Sequence, residues 1–144
     1  MNDDPIRDEL DIRRLVAQLA YEADAGELDD YLALFTDDAV WEMPGDEASG
    51  ISAAYCAGHA EISANVQHRR AVGVQGPGAG TMHHITTQRI DVSNDDGEGH
   101  IYYQFVGIVD GKPTIRTIGE YRDRYRRTAH GWKLAHRTVL IHWT

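Results

Sequence analysis

Residues 81–143 read TMHHITTQRIDVSNDDGEGHIYYQFVGIVDGKPTIRTIGEYRDRYRRTAHGWKLAHRTVLIHW, and this stretch decides the fold. Three turn signals punctuate it: Asn94-Asp95-Asp96-Gly97, Asp110-Gly111 and His130-Gly131. Asn and Gly adopt the positive backbone angles of tight hairpins at little cost, so such pairs mark places where a chain reverses. Between them lie β-rich runs at 81–92, 99–109, 113–127 and from Trp132 to Trp143. Strands joined by such short turns pair with their sequence neighbours, which predicts an antiparallel meander.

Upstream the period changes. Ile12, Leu15, Val16, Leu19 and Ala23 share one sector of a helix over residues 6–24, with Arg7, Asp11, Arg14 and Gln18 elsewhere around it. Gly26 stops that helix, and Glu27 to Phe35 read as a second, carrying Leu28, Leu32 and Phe35 on one face. The cluster Thr36-Asp37-Asp38 ends it. Ala39 to Met43 then read as a short strand closed by Pro44, and Gly58 to Ala71 as a third helix with Ile62 and Val66 inward. Gln75 to Gly80 is glycine-rich and reads as a loop. Helices first and a meander after is the order of an α+β fold with helices packed on one face of a sheet.

The 144 residues suffice for one domain with a real core, taken as 1–144. With 42% hydrophobic and 26% charged residues the composition is globular, and no run approaches the ~20 apolar residues of a membrane span. The start, MNDDPIRDELDIRR, is acidic and amphipathic, unlike a secretory signal, so a cytoplasmic location is the expectation. The lone Cys56 excludes an internal disulfide and any CxxC chemistry, and the eight histidines include no HxH or HxxxH pair, so no metal is expected. The formal charge of −9 is concentrated in residues 1–47, with 15 acidic and 3 basic groups. Such a field disfavours nucleic acid as a partner. Arg122, Arg124 and Arg126 alternate along a strand beside Arg127, the pattern of an exposed face paired with acidic neighbours.

The last strand reads as apolar on both faces, with Trp132, Leu134 and Leu140 on one and Ala135, Val139, Ile141 and Trp143 on the other. Helices would cover one face and a second subunit the other, which predicts a homodimer or homotrimer. Arg137 falls among the second group and requires a polar partner there, whether a carboxylate of the protein or a ligand.

Together these segments resemble the SnoaL-like, scytalone dehydratase-like branch of the nuclear transport factor 2-like superfamily. The likeness runs through Asp24-Ala25-Gly26-Glu27-Leu28-Asp29, Leu34 to Trp41, Gly58 to Ile62, Thr81-Met82-His83, Gly119 to Asp123 and Gly131 to Arg137. It implies a cone-shaped barrel in which a strongly bent, mostly antiparallel sheet wraps the N-terminal helices and opens at a pocket. The family includes dehydratases, a dehydrochlorinase, isomerases and proteins without known reactions, so fold narrows function only in part.

The resemblance places Asp24 and His83 in that pocket as a pair. Taken by itself, Asp24 also fits an N-cap of the second helix, with Glu27 three residues on. His83 and His84 point to opposite faces of a strand, so only one can serve a pocket, and the resemblance selects His83. An imidazole held by a carboxylate can take a proton from carbon and return it to a departing oxygen. Arg137 matches a pocket arginine able to bind a leaving group or a developing oxyanion, and otherwise forms a buried ion pair with an N-terminal carboxylate. The dehydrochlorinase lysine and bile-acid dehydratase tyrosine have no counterpart at Leu19 or Ala20, which argues against both reactions; Tyr21 is displaced from that place. Tyr21, Trp41, Met43, Tyr55 and Tyr102 are the expected substrate-binding residues, with Tyr103, Phe105 and Trp143 as further apolar lining.

The expected function is a lyase or isomerase without cofactor acting on a small hydrophobic oxygenated substrate, such as a polyketide, steroid, terpenoid or aromatic catabolite. The competing readings are a non-catalytic small-molecule-binding protein and an accessory β-type subunit of a ring-hydroxylating dioxygenase.

Overall fold

The computed structural model describes residues 4–143. The chain runs α1 (Pro5–Ala25), α2 (Leu28–Leu32), β1 (Phe35–Met43), a single helical turn at Glu47–Ser49, β2 (Ala54–Ala57), α3 (Gly58–Ala71), β3 (Met82–Ser93), β4 (Asp96–Val109), β5 (Lys112–Thr128) and β6 (Gly131–Trp143). Helix α1 begins where local chemistry dictates. The Asp4 side chain accepts from the Arg7 amide, and Pro5, whose missing N–H costs nothing there, opens the first turn.

The strands form one sheet in the order β2-β1-β6-β5-β4-β3. All neighbours are antiparallel except β1 and β6, so the sheet is mixed. The hairpins fall where the turn signals stand: Asn94 (φ 54°) turns β3 into β4, and Asp110 (φ 51°) with Gly111 (φ 75°) turns β4 into β5. The pairing register slips at Ile85/Thr87, Phe105/Val106, Ile118/Gly119 and Arg124/Tyr125. Each such bulge adds bend and twist. The sheet therefore curls without closing, and α1 packs on both β3 and β6 from inside the curl. Ile12, Val16 and Leu19 meet Phe35, Ile101, Tyr125 and Leu134 in the core.

Three expectations change. The second helix is shorter than its pattern suggests, because Phe35 is the first residue of β1; its ring lies fully buried, edge-on to Tyr31 at 5.0 Å. The spacing of Leu28, Leu32 and Phe35 is satisfied by a helix running into a strand as well as by a helix alone. Strand β2 was not foreseen; its four residues pair only with β1.

The third change concerns β6. Leu134 pairs with Tyr125 and His136 with Arg124, so Ala135 is an extra residue. The bulge reverses the alternation, and Trp132 and Leu134 come to the same inner face as Arg137, Val139 and Ile141. The outer face around β6 is instead polar, a shallow groove bordered by Glu42, Glu98, His100, Arg122, Arg124, His136 and Thr138. Of the residues read onto that outer face, Trp132 and Leu134 move inside and Leu140 stays outside, paired with Glu120, so the apolar pattern of the strand is weaker on that side than its sequence suggests. The arginine run is paired as read, Arg122 with Glu120, Arg124 with Glu98 and Arg126 with Asp38.

Candidate functional site

Inside the curl, between α1, α3 and the concave face of the sheet, lies a cavity of about 100 Å³. Its apolar wall includes Val16, Leu19, Ala23, Trp41, Met43, Ile62, Ile85 and Phe105, and its polar side chains are Tyr31, Asn65, Arg69, Gln75, His83, Tyr103, Thr117, Tyr121 and Arg137. No carboxylate borders it among the described residues.

The Asp24 carboxylate stands just behind His83. It lies in the last turn of α1, where the helix dipole opposes a negative charge by roughly 0.3–1 kcal/mol. Two hydrogen bonds compensate: the His83 backbone N–H donates to Oδ2 at 2.8 Å, and His83 Nδ1 meets Oδ1 at 2.6 Å. Both side chains are largely buried, at 11% exposure for His83 and 14% for Asp24. The capping alternative fails, because Glu27 occupies the N-cap of α2, with no side-chain capping bond. A carboxylate accepts only, so Nδ1 is the donor in this bond, and in the neutral ring Nε2 keeps the lone pair. His83 also packs on the Phe105 ring at 4.7 Å. His84, one residue on, is exposed and does not border the cavity.

Arg137 borders the cavity but is already engaged. Its Nε and Nη2 donate to the two carboxylate oxygens of Asp123 at 2.8 and 2.7 Å, and its guanidinium lies 3.9 Å from the Tyr121 ring centroid. Burial opposes the Arg137 charge, and Asp123 more than offsets this, so the guanidinium holds its proton more tightly than usual. The partner sits on β5, not in the N-terminal segment. Tyr125 donates to the same carboxylate at 2.7 Å. Tyr103 stacks on Tyr121 at 4.2 Å, and burial raises both phenols, so each is a neutral donor near neutral pH. Gly119, opposite Tyr103 in the register, makes the stack possible: a Cβ there would lie 2.5 Å from the Tyr103 ring.

Of the expected substrate-binding residues, Trp41 and Met43 border the cavity. Tyr21, Tyr55 and Tyr102 do not; they are 64%, 65% and 55% exposed. Tyr21 lies on the solvent side of α1. Tyr55 and Tyr102 fall on the outward-facing phase of their strands, where alternation sends Cys56, Tyr103 and Ile101 inward. The Trp143 side chain lies outside the described residues. Sequence reading missed Tyr31, Asn65, Arg69, Gln75 and Tyr121. Asn65 and Arg69 carried a signal, since four residues apart on α3 they flank the inward Ile62 and Val66. Gln75 carried none. Gln75 and Gly76, at the start of the glycine-rich loop, are buried, so this part of the loop is wall and not an open flap. The Gln75 Oε1 is buried without a partner, a deficit of about 1–3 kcal/mol. No group of three potential metal ligands occurs among the described residues. No described helix is long and apolar enough to cross a membrane.

Comparison with known proteins agrees with this fold. A family model described as a SnoaL-like domain matches residues 4–138. Among solved structures, a nuclear transport factor 2-like protein with a cystatin-like fold from Novosphingobium aromaticivorans is 22% identical with a TM-score of 0.80, over 95% of this chain and 83% of that one. A candidate aromatic ring hydroxylase from the same organism is 26% identical with a TM-score of 0.75, over 99% and 94%. The β subunit of a candidate aromatic-ring-hydroxylating dioxygenase, again from that organism, is 21% identical with a TM-score of 0.75, over 96% and 91%. No curated protein matches by sequence.

Proposed function

We propose that this chain, which belongs to the SnoaL-like domain family, is a lyase or isomerase that works by proton transfer at carbon, with His83 as acid and base. One observation carries the reading. Asp24 holds His83 by both its backbone N–H and Nδ1, and the ring thus fixed stands in the wall of a largely apolar cavity. Binding a substrate there removes water from around Nε2, and the carboxylate then stabilises the imidazolium formed when a C–H proton is taken. Returning that proton to another carbon completes an isomerisation, and returning it to a departing hydroxyl completes a dehydration. Tyr103 and Tyr121 are the candidate donors to the oxyanion that develops on the adjacent carbonyl. Arg137, with two of its N–H groups spent on Asp123, contributes less charge than an unpaired arginine would and chiefly fixes the Tyr121 ring.

Cavity size narrows the substrate. A void of ~150 Å³ suffices for benzene, so the smaller void here, about 100 Å³ and open at one end, encloses at most part of a single ring and not a fused steroid nucleus. Aromatic and alicyclic catabolites fit better than polycyclic ones.

The test needs no natural substrate. In D₂O, the protein should catalyse deuterium uptake at the acidic carbons of 2-cyclohexenone, followed by NMR. His83→Gln should lower that rate by roughly 10²–10⁴-fold. Equal rates in both proteins, or none above buffer, would remove the reading. A second reading, an accessory subunit of a ring-hydroxylating dioxygenase, gains if exchange is absent; the 26% identical relative is a candidate aromatic ring hydroxylase, and the dioxygenase β subunit, at 21% identity, shares the fold.

A further inference from the structure

The cavity holds one cation that the proposed chemistry leaves unused. Arg69 projects from α3 into the lining, with its guanidinium 5.9 Å from the Trp41 ring centroid. Arg137, the other cation, is neutralised by Asp123, and Arg70 next in sequence donates to the Glu22 carbonyl outside the cavity. Arg69 forms no ion pair or hydrogen bond among the described residues, and no carboxylate borders the cavity with it. Its charge reaches the interior: burial raises the Tyr31 and Tyr103 phenols, and Arg69 opposes both rises. A protein of net charge −9 has acidic side chains in plenty with which to pair an arginine, and none is placed here.

Gln75 supplies an independent observation. The residue is 5% exposed, borders the same cavity, and keeps its Oε1 buried without a donor. That oxygen is out of reach of water as well as of protein donors, and a turn of the Gln75 amide toward the cavity lets it accept from an O–H or N–H brought from outside.

We propose that the ligand of this cavity is a single-ring carboxylate, bound through its carboxylate by Arg69 and donating a ring hydroxyl to Gln75. A carboxylate fits better than a phenolate for two reasons. It is ionised at neutral pH, whereas a phenol of ordinary acidity is not. It also matches the two-pronged guanidinium fork. The ring lies against Trp41, Met43 and Phe105. This assignment rests on the cavity being the substrate site of the proposed reaction, with Arg69 as a specificity-determining residue that takes no part in proton transfer.

Equilibrium binding separates this proposal from the catalytic one, because it needs no turnover. Calorimetric titration of the wild-type protein with benzoate, benzamide and 3-hydroxybenzoate should show benzoate binding at least tenfold tighter than its neutral isostere, and 3-hydroxybenzoate tighter again. Arg69→Gln should abolish the first preference and Arg69→Lys should keep part of it. Arg70→Gln, which alters a guanidinium outside the cavity, should leave it intact. Gln75→Leu should erase only the gain from the hydroxyl. Equal affinity for benzoate and benzamide, a preference that survives Arg69→Gln in a protein with wild-type circular dichroism, or no binding of any of the three at millimolar concentration would each overturn the proposal. Failure of deuterium exchange with this pattern intact would leave a carboxylate-binding protein without the catalysis. Exchange without the preference would leave the catalysis and remove the carboxylate.

Discussion

Helix α1 plants one carboxylate on the sheet near each end, and the two are treated differently. At the N-terminal end Asp8 accepts from Arg127 Nη1 and Nη2 at 2.8 and 2.7 Å and from the Trp132 indole at 3.1 Å. Arg127 in turn stacks on Trp132 and binds Asp95. The helix dipole favours a negative charge at this end. Asp8 therefore closes a clamp with no ring nitrogen to spare, and it borders neither the inner cavity nor the outer groove. At the other end Asp24 sits against the dipole and engages an imidazole through one ring nitrogen, leaving the other over. The contrast separates two kinds of carboxylate: Asp8 spends its oxygens on a guanidinium and an indole, whereas Asp24 holds a histidine that borders the cavity and bonds it through Nδ1 alone of its two ring nitrogens.

The largest effect that could break this contrast is catalytic. His83→Gln should cost the roughly 10²–10⁴-fold of exchange rate expected of a lost acid–base group, while Asp8→Asn should leave that rate unchanged. A comparable loss from Asp8→Asn would erase the distinction between the two ends. Next in size is the pair behind the cavity wall. Asp123→Ala strands the buried Arg137 charge and removes the Tyr125 acceptor, so urea denaturation should show about 3–5 kcal/mol less stability. A cost below 1 kcal/mol would mean that Arg137 finds another partner and is freer to meet an anion than its geometry indicates.

The smallest effect is a matter of pH. Hydrogen bonds from Arg127 and then Trp132 hold the Asp8 carboxyl below the usual carboxylate range. A carboxyl whose folded value is depressed contributes stability above its unfolded value, near ~3.9, and loses it as pH falls through the folded value. Thermal melts of wild type and Asp8→Asn should therefore differ by a constant amount from about pH 5 upward, then converge in stronger acid. A difference that grows on acidification would contradict the clamp.

Much of this was legible in the chain. The meander followed from its turn residues, since Asn94, Asp110 and Gly111 adopt the positive φ angles that tight hairpins require. The inward face of α1 followed from its period, and all five residues assigned to it are buried. The juxtaposition of Asp24 and His83, 59 residues apart, came from the resemblance, because no local rule links them. What stayed hidden depended on register. One extra residue at Ala135 carried Trp132 and Leu134 to the inner face, and no composition rule announces a bulge. Tyr55 and Tyr102 were aromatic, which says nothing of the phase in which a strand presents them. Tyr103 and Tyr121 meet over Gly119 through pairing between two strands, a relation that the sequence of neither strand contains.

The central claim is that Asp24 sets His83 so that Nε2 is the working base, and the ring tautomer tests it most directly. Long-range proton–nitrogen correlation NMR of the neutral ring, in the wild-type protein, distinguishes a protonated nitrogen from a bare one. The geometry predicts a proton on Nδ1 and a lone pair on Nε2, with that order weakened in Asp24→Ala. A proton resident on Nε2 in the wild type, unmoved by loss of the carboxylate, would contradict it.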